Sequence, residues 1–207
     1  AAAHRPEWVL RFGGVATTRA MQRVQAEWPT AQVVGVDPGG RLRDPERRVS
    51  QWLLGDQELV AEGLAERLEG RHDTSKWLAV FTDADRRVAA VFDAAAEPQD
   101  WAGGCIRQLV ASLPADALLH VASSSAIRDL EVFGGGRSEP LSVLASRGAN
   151  GIDGTLATAG GSALAASGRP LVALLGDLAF HHDIAGLRML AAQGVPLTAV
   201  VIDNGGG

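Results

Sequence analysis

The sequence predicts an α/β protein built from two parallel-sheet, nucleotide-fold-like domains. Three observations predict it. Strand-length apolar runs alternate with amphipathic helical stretches along the chain. Two of those runs, residues 171–175 and 197–202, carry no charge, as strands buried on both faces of a parallel sheet require. Each of the two ends abruptly in polar or glycine residues, Gly176-Asp177 and Asp203-Asn204, where parallel sheets hold ligands.

The first domain is expected over residues 1–73. Trp8-Val9-Leu10-Arg11-Phe12 reads as a short buried strand running into Gly13-Gly14. Residues 17–27 have helical spacing, with Met21, Val24 and Ala26 directed inward. Gln32-Val33-Val34-Gly35-Val36 is the next strand, ended by the breaker cluster Asp37-Pro38-Gly39-Gly40. Residues 50–54 suggest a third strand, and 58–68 a helix closed by Gly70. Residues 74–95 form one long helix of alternating charged and apolar faces, a connector broken by Glu97-Pro98.

The second domain, 96–207, opens with a helix over 101–113 that Pro114 ends. A strand over 118–122 leads into Ser123-Ser124-Ser125. A helix starting near Ser125 would offer free backbone N–H groups to an anion. The glycine-rich turn over 147–154 opens a small-residue helix over 155–166. The two uncharged runs follow, with a helix over 183–193 between them and Asp183 at its cap. Together they make a βαβ unit.

Composition narrows the function. A net charge of −5 argues against a nucleic-acid surface, which is normally a basic patch. Arginine dominates the cations, with Lys76 the only lysine. The single cysteine, Cys105, excludes an internal disulfide and a cysteine zinc cluster, and its apolar helical setting makes it a core residue. No apolar run approaches the roughly 20 residues of a bilayer span. The opening AAAHRPEWVL has no basic start followed by an apolar stretch, so the expected compartment is the cytoplasm. His181 and His182 are adjacent and project differently, which favours structural roles over a metal pair.

Asp177 and Asn204 lie 27 residues apart (204 − 177), the length of one crossover unit. On neighbouring strands, their oxygens would share one crevice. Magnesium takes one or two side-chain oxygens together with phosphate oxygens and water. Asp177 would supply charge, Asn204 an amide oxygen, and Gly205 or Gly206 a carbonyl. Glycines beside the ion let the backbone approach a diphosphate. Asp177 as a simple helix cap and Asn204-Gly205 as a simple turn are the bland alternative.

This Gly-Asp…Asn spacing resembles the cofactor motif of thiamine-diphosphate-dependent enzymes. Four segments together are more specific. They are Ser123-Ser124-Ser125-Ala126-Ile127-Arg128-Asp129, Ser146-Arg147-Gly148-Ala149-Asn150-Gly151-Ile152-Asp153-Gly154, Gly176-Asp177-Leu178, and Asp203-Asn204-Gly205-Gly206-Gly207. The set resembles the MenD family, the 2-succinyl-5-enolpyruvyl-6-hydroxy-3-cyclohexene-1-carboxylate synthases of menaquinone biosynthesis. Leu10-Arg11-Phe12-Gly13-Gly14, Thr18-Arg19 and Gly39-Gly40-Arg41-Leu42-Arg43-Asp44-Pro45 resemble the central domain of that family. The resemblance runs from about Pro6 to the last residue.

The resemblance implies a transferase that decarboxylates 2-oxoglutarate and joins the succinyl unit to isochorismate, using thiamine diphosphate and Mg2+. By position, Arg19, Ser124, Arg128 and Arg147 match its substrate-binding residues, in keeping with arginine's affinity for carboxylates. Gly176, Asp177, Leu178, Asn204 and Gly206 match its cofactor-binding residues, with Asp177, Asn204 and Gly206 on the metal. Ile152 matches the apolar residue that props the cofactor in its bent form. The family's activating glutamate belongs to an N-terminal domain without a counterpart here, so no catalytic residue is expected in this chain. The apolar segment after the asparagine-glycine run is also absent, so the second domain is expected to be truncated at its C-terminal side and the chain alone inactive. The family further implies a homodimer or dimer of dimers at full length. Two other functions remain open: another thiamine-diphosphate 2-oxo acid decarboxylase or synthase, and a non-catalytic nucleotide-fold module. The absence of Gly-x-Gly-x-x-Gly after the first strands argues against dinucleotide binding.

Overall fold

A computed structural model describes residues 5–41, 43–70, 75–95, 100–146, 151–166 and 168–206. The chain divides into two compact units, residues 1–90 and 91–207. Both carry parallel sheets.

The first unit contains β1 (Trp8–Phe12), α1 (Arg19–Ala26), β2 (Gln32–Val36), β3 (Gln51–Leu53) and α2 (Gln57–Leu68). Helix α3 (Ser75–Asp93) follows, and the division between units falls within it. The sheet order is β1-β2-β3, and the register Phe12↔Val36↔Leu53 brings all three strands to one level at their carboxyl ends. Central β2 buries Val33, Val34 and Val36, where β-branched side chains suit a pleated, covered surface. Gly35 lets the Trp52 ring lie against the strand, since a Cβ there would come within 2.5 Å of that ring.

Two sequence expectations fail in this unit. β1 is an edge strand, and its Trp8, Leu10 and Phe12 are exposed while Arg11 is the buried residue. On α1, Met21 and Ala26 are exposed, and of the three residues expected inward only Val24 is partly buried. Among the described residues nothing covers those faces, so apolar character alone did not set burial. Arg11 is buried because it ties down the β2–β3 connection. Its guanidinium donates to the Arg43 carbonyl at 2.6 Å, lies 3.5 Å from the Asp44 carboxylate and stands 5.6 Å from the Trp52 ring centre. Asp44 in turn accepts from the Val49 amide at 2.7 Å.

The second unit runs α4 (Ala102–Ser112), β4 (Leu118–Val121), α5 (Ser125–Phe133), β5 (Ser142–Ala145), α6 (Thr155–Ala165), β6 (Leu171–Gly176), α7 (Asp177–His182), α8 (Ile184–Ala192) and β7 (Thr198–Ile202). All four strands are parallel, in the order β5-β4-β6-β7. β4 is buried throughout and β6 over its first five residues, so the apolar run at 171–175 is indeed a core strand. β7 differs from expectation: as the edge strand it is only partly buried. The stretch over 177–182, unassigned in the sequence, is the separate helix α7. Cys105 lies partly buried on α4.

Helix α4 packs on α5, and α6 on α8. The last pair approaches closely because Gly160 has no side chain, and a Cβ there would fall 1.9 Å from the Cδ2 of buried Leu190. Far from the ligand edge, Arg169 donates to the Asp116 and Ala117 carbonyls and to Ser142 Oγ at 2.7, 3.1 and 2.8 Å, joining the strand starts.

Candidate functional site

Strand order locates the site. From β4 the chain leaves through α5 to β5 on one side; from β6 it leaves through α7 and α8 to β7 on the other. β4 and β6 are neighbours, so their carboxyl ends bound a crevice where the winding reverses, the usual ligand position in an open parallel sheet.

At the β4 end, the Ala122 amide donates to the Leu174 carbonyl at 2.9 Å, and Ser123 is buried. Ser124 then adopts φ 67°, ψ −129°, a conformation that L residues avoid at a cost of about 1–3 kcal/mol. The distortion lets α5 begin at Ser125, and the Ser124 side chain does not cap its first amides. Arg128 follows Ser124 by one helical turn on the same exposed face. Burial raises the neighbouring Asp129 carboxyl above its ordinary range, and the Arg128 charge partly offsets this.

At the next two ends, Gly176 pairs with Ile202, placing Asp177 and Asn204 just beyond two adjacent strands. Asp177 is partly buried as the first residue of α7; Leu178 beside it is half exposed. Asp203 Oδ1 accepts from the Gly205 amide at 3.0 Å, turning the chain so that Asn204 is exposed. Gly205 and Gly206 take φ of 83° and 99°, with open space where a Cβ would stand. Only glycine adopts both angles without strain.

The fourth strand end leads to the glycine-rich turn. Arg147 lies outside the described residues, as do Gly148, Ala149 and Asn150. Ile152 packs partly buried against the core, and its carbonyl accepts from Thr155 Oγ1 at 2.9 Å. Asp153 faces His182 across 3.4 Å, which gives one of the adjacent histidines an acidic partner. Asp183 departs from the expectation that it caps its own helix. Its side chain makes no such bond, and its Oδ2 instead accepts from the Leu156 and Ala157 amides at 2.6 and 3.1 Å. The α6 start, which follows a glycine-rich turn as phosphate-binding helices do, is therefore filled by the chain's own carboxylate. The β6–β7 ends carry no such contact from a carboxylate distant in sequence among the hydrogen bonds of the described residues.

Arg19 belongs to the first unit, exposed at the start of α1. The carboxyl ends of β1 and β2 there bound a cleft of about 320 Å³ whose lining includes Gly13, Gly14, Asp37, Gly39, Arg41 and Gln57.

These residues fit a magnesium diphosphate. One carboxylate and one amide follow adjacent strand ends beside two glycines whose carbonyls could join them, a donor set of oxygen type that would leave positions for phosphate and water. Among the described residues no three His, Cys, Asp or Glu side chains gather as a metal cluster, and a site of one carboxylate has no need of one. None of the described helices is long and apolar enough to cross a membrane. Two features escaped the sequence: the strained backbone of Ser124, and the partner of Asp183. The run Ser123-Ser124-Ser125 after a strand was a signal for the first; the second is a contact between residues far apart in sequence.

Comparison with known proteins bears on the family of the chain. Residues 134–206 match the family model described as thiamine pyrophosphate enzyme, C-terminal TPP binding domain. Over 210 aligned residues covering 100% of this chain, the protein is 42% identical to a 2-succinyl-5-enolpyruvyl-6-hydroxy-3-cyclohexene-1-carboxylate synthase of Myxococcus xanthus (strain DK1622), covering 35% of that relative. Synthases of the same name from Roseiflexus castenholzii (strain DSM 13941 / HLO8) and Halobacterium salinarum (strain ATCC 29341 / DSM 671 / R1) are 35% and 36% identical over 98% of this chain, and 35% and 34% of their own lengths are covered. The chain thus spans about a third of the length of the curated relatives it matches (35%, 35% and 34%). Within that span it belongs to the 2-succinyl-5-enolpyruvyl-6-hydroxy-3-cyclohexene-1-carboxylate synthase family, as a part that includes a thiamine-diphosphate-binding domain.

Proposed function

We propose that this chain supplies the diphosphate anchor and part of the substrate pocket of a synthase that decarboxylates 2-oxoglutarate and adds the succinyl unit to isochorismate. The observation that carries the proposal is the pairing of Asp177 and Asn204 beyond adjacent parallel strands, beside two left-handed glycines. Asp177 binds Mg2+ through its carboxylate, Asn204 through its amide oxygen and Gly206 through its carbonyl. Gly176 and Leu178 would border the cofactor, and Ile152 would support it from the core side. When bound, thiamine diphosphate supplies the electron sink for decarboxylation, and the protein contributes binding and orientation. Arg19, Arg128 and Arg147 bind substrate carboxylates, because a guanidinium offers two parallel donors to a carboxylate. Ser124 offers a hydroxyl at the mouth of the crevice. The complete protein acts in the cytoplasm as a homodimer or dimer of dimers.

The test is calorimetry of thiamine diphosphate against the 207-residue chain and its Asp177→Ala variant, with and without Mg2+. Magnesium-dependent binding should disappear in the variant while the far-UV spectrum persists. Equal affinity in both proteins would refute the anchor.

A further inference from the structure

His120 is a titratable side chain that the proposed chemistry does not use. It sits on central strand β4, 3% exposed, between fully buried Leu119 and Val121. Burying an imidazole is unfavourable unless its nitrogens find partners. Both do. Nε2 lies 3.0 Å from Ser146 Oγ, and Nδ1 lies 3.4 Å from Ser162 Oγ on α6.

We propose that His120 is a positioning residue that ties Ser146, the residue directly before Arg147, to helix α6, and so sets the substrate arginine Arg147. What Arg147 does rests on the synthase reading above; the tether itself does not. Ser146 directly precedes Arg147 in the sequence, and α6, carrying Ser162, begins at Thr155. One imidazole therefore bridges Ser146, on one side of residues 147–154 in the sequence, and α6 on the other. The Ser146 amide also donates to the Val121 carbonyl at 2.9 Å, so backbone and side chain pin the same residue to β4. At the α6 start, Asp183 holds the Leu156 and Ala157 amides.

The hydrogen-bond pattern assigns the tautomer. The single hydroxyl proton of Ser162 goes to the Thr158 carbonyl at 3.0 Å, so toward His120 Nδ1 it accepts. Nδ1 then carries the hydrogen, and Nε2 accepts the proton of Ser146. A neutral ring in this tautomer satisfies both hydroxyls, and burial keeps it neutral by lowering its affinity for a second proton. Phenylalanine would fill the same space and make neither bond.

Two variants test the tether, His120→Phe and Ser146→Ala, alone and combined. In the 207-residue chain, amide exchange over residues 146–154 should rise roughly tenfold in each single variant, the equivalent of one lost hydrogen bond. The double variant should exchange no faster than either single one, because both remove the same contact. Exchange over β6 should stay unchanged. Unaltered exchange at 146–154, a rise spread equally over β4 and β6, or additive effects would each overturn the tether. In the complete synthase, the same variants should raise KM for 2-oxoglutarate roughly tenfold while kcat and cofactor affinity hold. Faster exchange with an unmoved KM would overturn the link to Arg147. A parent protein without turnover on 2-oxoglutarate would sink the synthase reading, and exchange would still decide the tether.

Discussion

Ser124 holds a backbone conformation, φ 67° and ψ −129°, that glycine adopts freely and serine does not. Replacing it by glycine should relieve the strain and, after the added entropy of the unfolded chain, stabilise the fold by about 1 kcal/mol. The same change removes the hydroxyl at the crevice, so urea midpoints should rise while substrate affinity falls; a lower midpoint would show that the angle is not a strain. Arg147→Ala should weaken handling of the carboxylate substrates by about 10- to 150-fold, the loss of a charge-assisted bond of roughly 1.5–3 kcal/mol, and spare cofactor binding. A fall in cofactor affinity alone would reassign that arginine. His120 gives a pH signature. Burial lowers its pKa below the ordinary 6.5, so under acid the unfolded chain binds more protons than the native one. Stability is therefore full above 6.5 and is lost as pH falls from there toward the native pKa, by at most about 1.4 kcal/mol per pH unit. His120→Phe should flatten that part of the profile. At this scale the sequence showed which residues carry charge or hydroxyls at strand ends. It did not show His120 as buried and paired, because Ser146 and Ser162 reach it only through the strand order.

Helices α6 and α8 depend on one another. Gly160 admits Leu190, and Gly186 lies where a Cβ would meet Asp183 Oδ2, Leu156 Cβ and the Ala157 amide at 3.0, 3.1 and 3.2 Å. Asp183→Ala should cost about 0.5–2 kcal/mol, the worth of a helix cap, and loosen the amides at the start of α6 in hydrogen exchange. Loosening of α8 instead would mean that the carboxylate serves its own helix. The sequence placed both helices within a residue or two, because small and apolar residues recur there at helical spacing. It missed α7, whose six residues are too few to show a period. It misassigned Asp183 because a cap is read from the helix that follows, and this side chain turns back to another.

Each unit has its own core, and the cores differ. In the first, β2 supplies Val33, Val34 and Val36 beside the buried Arg11; in the second, β4 and β6 are buried between helices together with Ile106 and Leu156. Since stability follows buried apolar area, amides of β4 and β6 should be the most protected in native-state exchange, and those of β1 and β3 should open first. Uniform protection across both sheets would contradict this. Fold class was legible because strand and helix periods alternate cleanly. Burial of β1 and β7 was not, because an edge position depends on which strands become neighbours, and apolar runs look alike at the edge and the centre.

The carboxylate that Asp183 lends to α6 has a thermodynamic consequence for the proposed cofactor. With those amides satisfied internally, a diphosphate is not held at the α6 start by bare N–H groups, and the proposed route to the chain is a cation on Asp177. Cation and anion are then linked ligands, each raising the other's affinity by the same factor. Diphosphate affinity should climb in proportion to free Mg2+ until the metal saturates. In Asp183→Ala, where the helix start is vacated, part of that affinity should survive chelation.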